Sequence, residues 1–136
     1  MSDAVPFLGY EDCGAAADWL AHAFGLEEVE RFDEDGAVTH VTLRCGDGLV
    51  FLGHPDGYVN PLHLREQCEA VARMYDVPWI VDGVWLAIED LDGTTERARA
   101  NGARILTEPE DTPHGRRCRI EDPEGHRWML GERSRR

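Results

Sequence analysis

The chain has 136 residues, room for one domain with a real core, and 42% hydrophobic residues with four tryptophans suit a globular protein. A formal net charge of −13 argues against nucleic acid or anionic membrane as a main partner; it serves solubility or permits a cationic ligand. Cys13, Cys45, Cys68 and Cys118 form no Cys-x-x-Cys pair, which removes zinc ribbons and dithiol redox motifs. The first residues hold neither a basic region nor an apolar signal segment, and no run reaches transmembrane length. The expectation is a cytoplasmic protein with reduced, mostly buried thiols.

In chain order, Pro6 to Tyr10 predicts a first strand, and Asp12 is placed to cap a helix. Ala16, Trp19, Leu20, Ala23 and Phe24 make one apolar face at helical spacing, closed by Gly25. Leu26 to Phe32 reads as a strand, Asp33 to Gly36 as a hairpin turn, and Val38 to Arg44 as an alternating strand. In that strand Val41 and Leu43 share one face, and His40 and Thr42 the other. The turn Arg44 to Gly48 leads to the apolar strand Leu49 to Gly53. A connector, His54 to Asp82, predicts one helix capped by Asn60, starting at Pro61 and ended by Pro78, with Leu64, Cys68, Val71 and Tyr75 along one side.

A strand from Gly83 to Ile88 opens the second half, with a helix from Leu91 to Asn101 closed by Gly102. Arg104 to Thr107 is the next strand, and Glu108 to Gly115 reads as a turn-rich loop holding Pro109 and Pro113. Arg116 to Gly131 then forms strand, turn and strand, with Pro123 and Gly125 in the turn and Trp128-Met129-Leu130 beyond it. Glu132 to Arg136 reads as a polar, frayed tail.

A shift of about 78 positions lays Leu52-Gly53 on Leu130-Gly131 and Glu11-Asp12 on Glu89-Asp90. One βαβββ module is thus written twice, in about 5–54 and 83–132, with 55–82 between them and a tail at 133–136. Two such modules, with Glu-Asp-Pro-Glu-Gly-His-Arg-Trp near the end, resemble the vicinal oxygen chelate superfamily: glyoxalase I, extradiol dioxygenases, and fosfomycin- and bleomycin-resistance proteins. The resemblance covers about Phe7 to Gly131. It implies a single α+β domain whose two modules form a curved, partly open barrel-like sheet, with helices outside and the ligand on the concave inner face. Members of the superfamily are often homodimers, so the resemblance also implies a homodimer here.

Metal-dependent members place His, Glu, His and Glu-like ligands on four strands. Those positions fall here near Val5, at Phe51, near Gly83 (Val84 and Trp85 being no better) and at Met129. None offers a carboxylate or imidazole, so the resemblance points to the metal-free, bleomycin-resistance-like members, with no cofactor. The function it implies is sequestration of a small aromatic or cationic compound, as in antibiotic resistance. Its site would be His40, Thr42, Phe51, Trp85 and Met129, with no catalytic residue. The alternative is a small-metabolite enzyme of lyase, isomerase or dioxygenase type, with metal ligands foreign to the family or with His40 as base.

The individual residues leave choices open. His40 is either a ligand contact or a structural histidine, and Trp85 either walls a cavity or packs in the core. Trp128 belongs to the core. Arg116, Arg117 and Arg119 serve either nearby acids, the simpler reading, or a ligand carboxylate. The direct repeat sets Cys118 opposite His40, whereas strand alternation turns Arg117 and Arg119 toward the helix, and the two inferences conflict by one residue.

Overall fold

In the computed structural model, which describes residues 3–79 and 83–132, the chain forms two compact units, residues 1–60 and 61–136. The end of the connector at residues 80–82 and the tail from residue 133 lie outside the described residues.

The first unit contains β1 (Phe7–Gly9), α1 (Cys13–Phe24), β2 (Glu27–Glu34), β3 (Ala37–Cys45) and β4 (Gly48–Gly53). The Asp12 carboxylate accepts from the Ala15 N–H at 3.0 Å, so the cap written in the sequence starts α1, and Gly25 ends it at φ 75°. The strands run in the order β1-β4-β3-β2, with β1 parallel to β4 and the other pairs antiparallel. Val41, Leu43, Val50 and Leu52 are buried on one face, and Cys13, Ala16, Ala17, Leu20, Ala23 and Phe24 are the buried apolar residues of α1. Each large aliphatic side chain so buried contributes about 1.5–3 kcal/mol. β2 reaches two residues beyond its expected end, because the turn to β3 needs only Asp35 and Gly36, both at positive φ.

The second unit contains α2 (Pro61–Gln67), α3 (Glu69–Met74), β5 (Val84–Ile88), α4 (Leu91–Ala100), β6 (Arg104–Thr112), β7 (Gly115–Glu121) and β8 (Arg127–Glu132). Its sheet repeats the first, in the order β5-β8-β7-β6 with β5 parallel to β8. Asp90 caps α4 through the Gly93 N–H at 3.0 Å, as Asp12 caps α1. Leu86, Ile88, Cys118, Ile120, Trp128 and Leu130 are buried, as are Leu91, Thr94, Thr95 and Ala98 of α4. Trp128 therefore belongs to the core, as expected.

Two expectations about this unit need correction. β6 does not stop at Thr107 but runs to Thr112, which turns the expected loop into a long hairpin with β7. Pro109 falls where the register shifts between Thr107 and Glu110, on the edge strand, so its missing N–H costs the ladder nothing. The connector forms two short helices instead of one, broken at Cys68, whose φ of −146° and ψ of 115° are extended. Leu64 and Cys68 are exposed, so the expected apolar stripe is not what holds this segment.

A buried charge cluster holds it instead. Glu121, on β7, meets Arg127 of β8 at 3.2 Å and Arg65 of α2 at 2.9 Å. Arg127 also donates to the carbonyls of Val77 (2.5 Å), Trp79 (3.2 Å) and Tyr75 (2.7 Å). The guanidinium carbons of Arg65 and Arg127 each lie 4.9 Å from the Tyr75 ring centroid. Helices of seven and six residues would not persist alone, and these contacts supply what their length cannot.

The turn between β7 and β8 is organised by Asp122. One carboxylate oxygen accepts from the N–H groups of Glu124 (3.1 Å) and His126 (3.0 Å), and the other from the Trp128 indole at 3.0 Å. Gly125 sits at φ 96°, and a Cβ there would come within 2.7 Å of the Leu62 backbone nitrogen. Asp122→Ala would leave a buried indole N–H without this acceptor and release the turn. Denaturant unfolding should show a loss of about 1–3 kcal/mol.

Candidate functional site

Each sheet has one face covered by its own helix, α1 or α4, and a second, open face. Strand register places the residues of the open faces. In the first unit, Phe7, Phe51, Thr42 and Glu30 lie in one row across the four strands, and Gly9, Gly53, His40 and Phe32 in the next. His40 Nε2 is 2.9 Å from Thr42 Oγ1, and the His40 ring lies 5.3 Å from Phe51 and 5.8 Å from Phe32 by centroids. Thr42 is buried, while Phe7 (56%) and Phe32 (55%) stay exposed. The structure thus brings His40, Thr42 and Phe51 together and adds Phe7 and Phe32, which the sequence reading did not select. Alternation along β1 and β2 was the signal for both.

In the second unit, Trp85, Met129, Arg119 and Thr107 form one row, and Ala87, Gly131, Arg117 and Glu110 the next. Trp85 is 51% exposed and not part of the core, beside Met129 as the alternation of β5 requires. A repeated device underlies both faces. A Cβ at Gly53 would meet the Phe7 ring at 2.5 Å, and one at Gly131 would overlap the Trp85 ring. The 78-residue shift relates Phe7 to Trp85 and Gly53 to Gly131, so in each module an aromatic from the first strand lies over a glycine of the last.

The conflict over Cys118 resolves here. Thr42 pairs with Phe51, but Arg119 pairs with Met129, a shift of 77 on one strand and 78 on the other. The turn of the second module is one residue longer. Arg117 and Arg119, not Cys118, are the counterparts of His40 and Thr42, and they stand on the open face. Cys118 is buried on the helix side, 3.5 Å from Thr95 Oγ1. The simpler reading of the arginines holds for Arg116, which pairs with Asp92 at 2.8 Å and Asp111 at 3.5 Å. It fails for Arg117 and Arg119, which have no carboxylate partner among the described residues.

The family's metal positions offer no ligand set. Phe51 and Met129 occupy matched strand positions on open faces, while Val5 and Gly83 precede β1 and β5. Aromatic, thioether, aliphatic and glycine side chains do not hold hard or borderline divalent ions. Among the described residues, no three His, Cys, Asp or Glu side chains gather as a metal site requires. Away from the open faces, a pocket of about 260 Å³ is lined by Tyr75, Val77, Arg104, Ile105 and Leu106, with Asp76 and Pro78.

The comparisons with known proteins agree with this architecture. The model of the Glyoxalase/Bleomycin resistance protein/Dioxygenase superfamily matches residues 5–130. The chain belongs to that superfamily. An uncharacterized protein of Mycobacterium bovis is 29% identical over 133 residues, covering 93% of this chain and 80% of its own length. Among solved members of the superfamily's fold, TioX from Micromonospora sp. ML1 superposes with a TM-score of 0.68 at 27% identity, covering 98% of this chain and 100% of its own. The bleomycin-binding protein of Streptomyces verticillus, solved with copper(II)-bleomycin, gives 0.59 at 20% identity and 98% coverage of both chains. Among the described residues no helix is long and apolar enough to cross a membrane.

Two predictions follow from these positions. Gly131→Ala would push the Trp85 ring off its seat, so tryptophan emission should shift while far-ultraviolet circular dichroism is retained. The thiols should react in order of exposure. Cys68 is exposed, Cys45 half-buried, and Cys13 and Cys118 are buried, which corrects the expectation of mostly buried thiols. Burial pushes the Cys118 pKa up, with Glu108 and Asp92 adding to it against the Thr95 hydrogen bond and Arg116. The folded protein holds this proton longer than the unfolded chain does. The stability this provides is therefore complete below the ordinary thiol pKa of about 8.5 and is lost as pH rises through the folded value. With dithionitrobenzoate at pH 7, Cys68 should react first, and Cys13 and Cys118 only after denaturation.

Proposed function

We propose that the protein binds and sequesters small aromatic compounds on the open faces of its sheets, the first face offering His40, Thr42 and Phe51 and the second Trp85 and Met129. The observation that carries this reading is the exposure of Phe7, Phe32 and Trp85 on faces opposite to those their helices cover. Aromatic rings left in water beside apolar neighbours mark a surface that gains from being covered. The bleomycin-binding relative, a small-molecule binder of the same fold, supports the same direction. Of the two ligand chemistries, aromatic and cationic, the aromatic one is favoured. The net charge of −13 attracts cations at long range, but Arg117 and Arg119 stand on the same face as Trp85 and repel them locally. On the family resemblance, the protein acts as a cytoplasmic homodimer and serves antibiotic resistance by holding the compound.

A second reading, an enzyme with His40 as base, draws on the contact of His40 Nε2 with Thr42, which fixes the ring between Phe32 and Phe51. Titrating tryptophan fluorescence with a panel of polycyclic aromatic drugs separates the two. Saturable quenching with the compound recovered unchanged is the expected result. Trp85→Ala and Phe51→Ala should each weaken binding by about 1–3 kcal/mol. Turnover abolished by His40→Gln would establish the enzyme, and silence across the panel would reject both readings.

A further inference from the structure

We infer that the open face of the second unit is built to hold an oxyanion, in the first instance a carboxylate, attached to an aromatic body. The inference rests on the reading of these faces as ligand-binding, and it names the charge of the ligand. Among the described residues, the Nε atoms of Arg117 and Arg119 are buried without a hydrogen-bond partner, as is Thr107 Oγ1 in the same row as Arg119. Burying a donor unpaired is costly, so proteins do it where a partner is expected to arrive.

The other arginines of this unit show the contrast. Five of them, Arg65, Arg99, Arg104, Arg116 and Arg127, have a carboxylate partner, and Arg65 keeps one although its Nε is also unpartnered. The carboxylate two residues along β7, Glu121, is already engaged by Arg65, Arg104 and Arg127. Glu110 is the register neighbour of Arg117 across the β6–β7 hairpin but is exposed and forms no ion pair with it. In a chain of net charge −13 with twenty-seven acidic residues, leaving two adjacent guanidinium groups unclaimed on one face is not a matter of acid supply. Two planar donor forks side by side match the paired oxygens of a carboxylate. Trp85 lies on the same row as Arg119 with one strand between them, about 10 Å away across the sheet. A ring stacked on the indole would thus carry its carboxylate toward the guanidinium groups.

Equilibrium dialysis with three probes of one shape tests this: 2-naphthoate, 2-naphthamide and 2-naphthylmethylammonium. The acid should bind at least tenfold more tightly than the amide, and the ammonium most weakly. Arg117→Gln and Arg119→Gln should each weaken 2-naphthoate at least tenfold, leave 2-naphthamide unchanged, and not lower the melting temperature, because each removes an unpaired buried group. Amide or ammonium binding as tightly as the acid to the unaltered protein would overturn the oxyanion site and leave the aromatic reading standing. No binding of any probe would overturn both. Variants that melt lower yet bind the acid normally would make the arginines structural and overturn the inference. Should a variant not fold, the acid-to-amide ratio of the unaltered protein decides.

Discussion

The second unit depends on the burial of Arg127. Its side chain is 1% exposed, and it is held by Glu121 and by three carbonyls of the segment that follows α3. A charge placed so deep is tolerable only while every partner stays, since removing one strands the others without water. The register of β7 on β8, which sets Glu121 beside Arg127, therefore also places the partners on which α2 and the segment after α3 dock. The connector is part of the second unit for this reason, and not because of an apolar stripe.

The two sheets share backbone and differ in what their open faces offer. Each seats an aromatic from its first strand over a glycine of its last, Phe7 over Gly53 and Trp85 over Gly131. On the neighbouring strand the first unit puts His40 and Thr42, already satisfied by one another, and the second puts Arg117 and Arg119, satisfied by nothing described. A duplicated scaffold thus presents one face centred on a His–Thr pair among aromatic rings and another centred on two arginines. Residues that face the helices, such as Leu52 and Leu130, stay alike because packing allows little else.

Most of the architecture was legible because its signals are local. Asp12, Asp90, Gly25 and the apolar spacing of α1 act within a few residues, and the repeat doubles each signal. What was missed acts at long range or by counting. Pro109 reads as a loop residue until an edge strand with a bulge accommodates it. Nothing near Arg127 in the sequence marks it for burial, because the carbonyls that hold it lie some fifty residues earlier. The open-face position of Arg117 and Arg119 was hidden by one extra residue in the Asp122 turn, which an ungapped comparison of the two halves cannot see. Of the candidate site, Phe51, Trp85 and Met129 were readable from alternation and the repeat, whereas the reach of Phe7 over Gly53 depends on side-chain placement.

The docked connector also sets a length. Along β7 and β8 the open face has three rows, and the first, Glu121 with Arg127, is roofed by Tyr75 and its neighbours. Two rows remain, those of Met129 and Gly131, about 7 Å apart along the strands. A flat molecule lying on this face meets the wall of Tyr75 and Arg127 after little more than the span of a fused bicyclic ring. For any such molecule the segment from Pro61 to Trp79 would be an end-stop, and changing its length, with the sheet untouched, would rescale the largest guest that could fit.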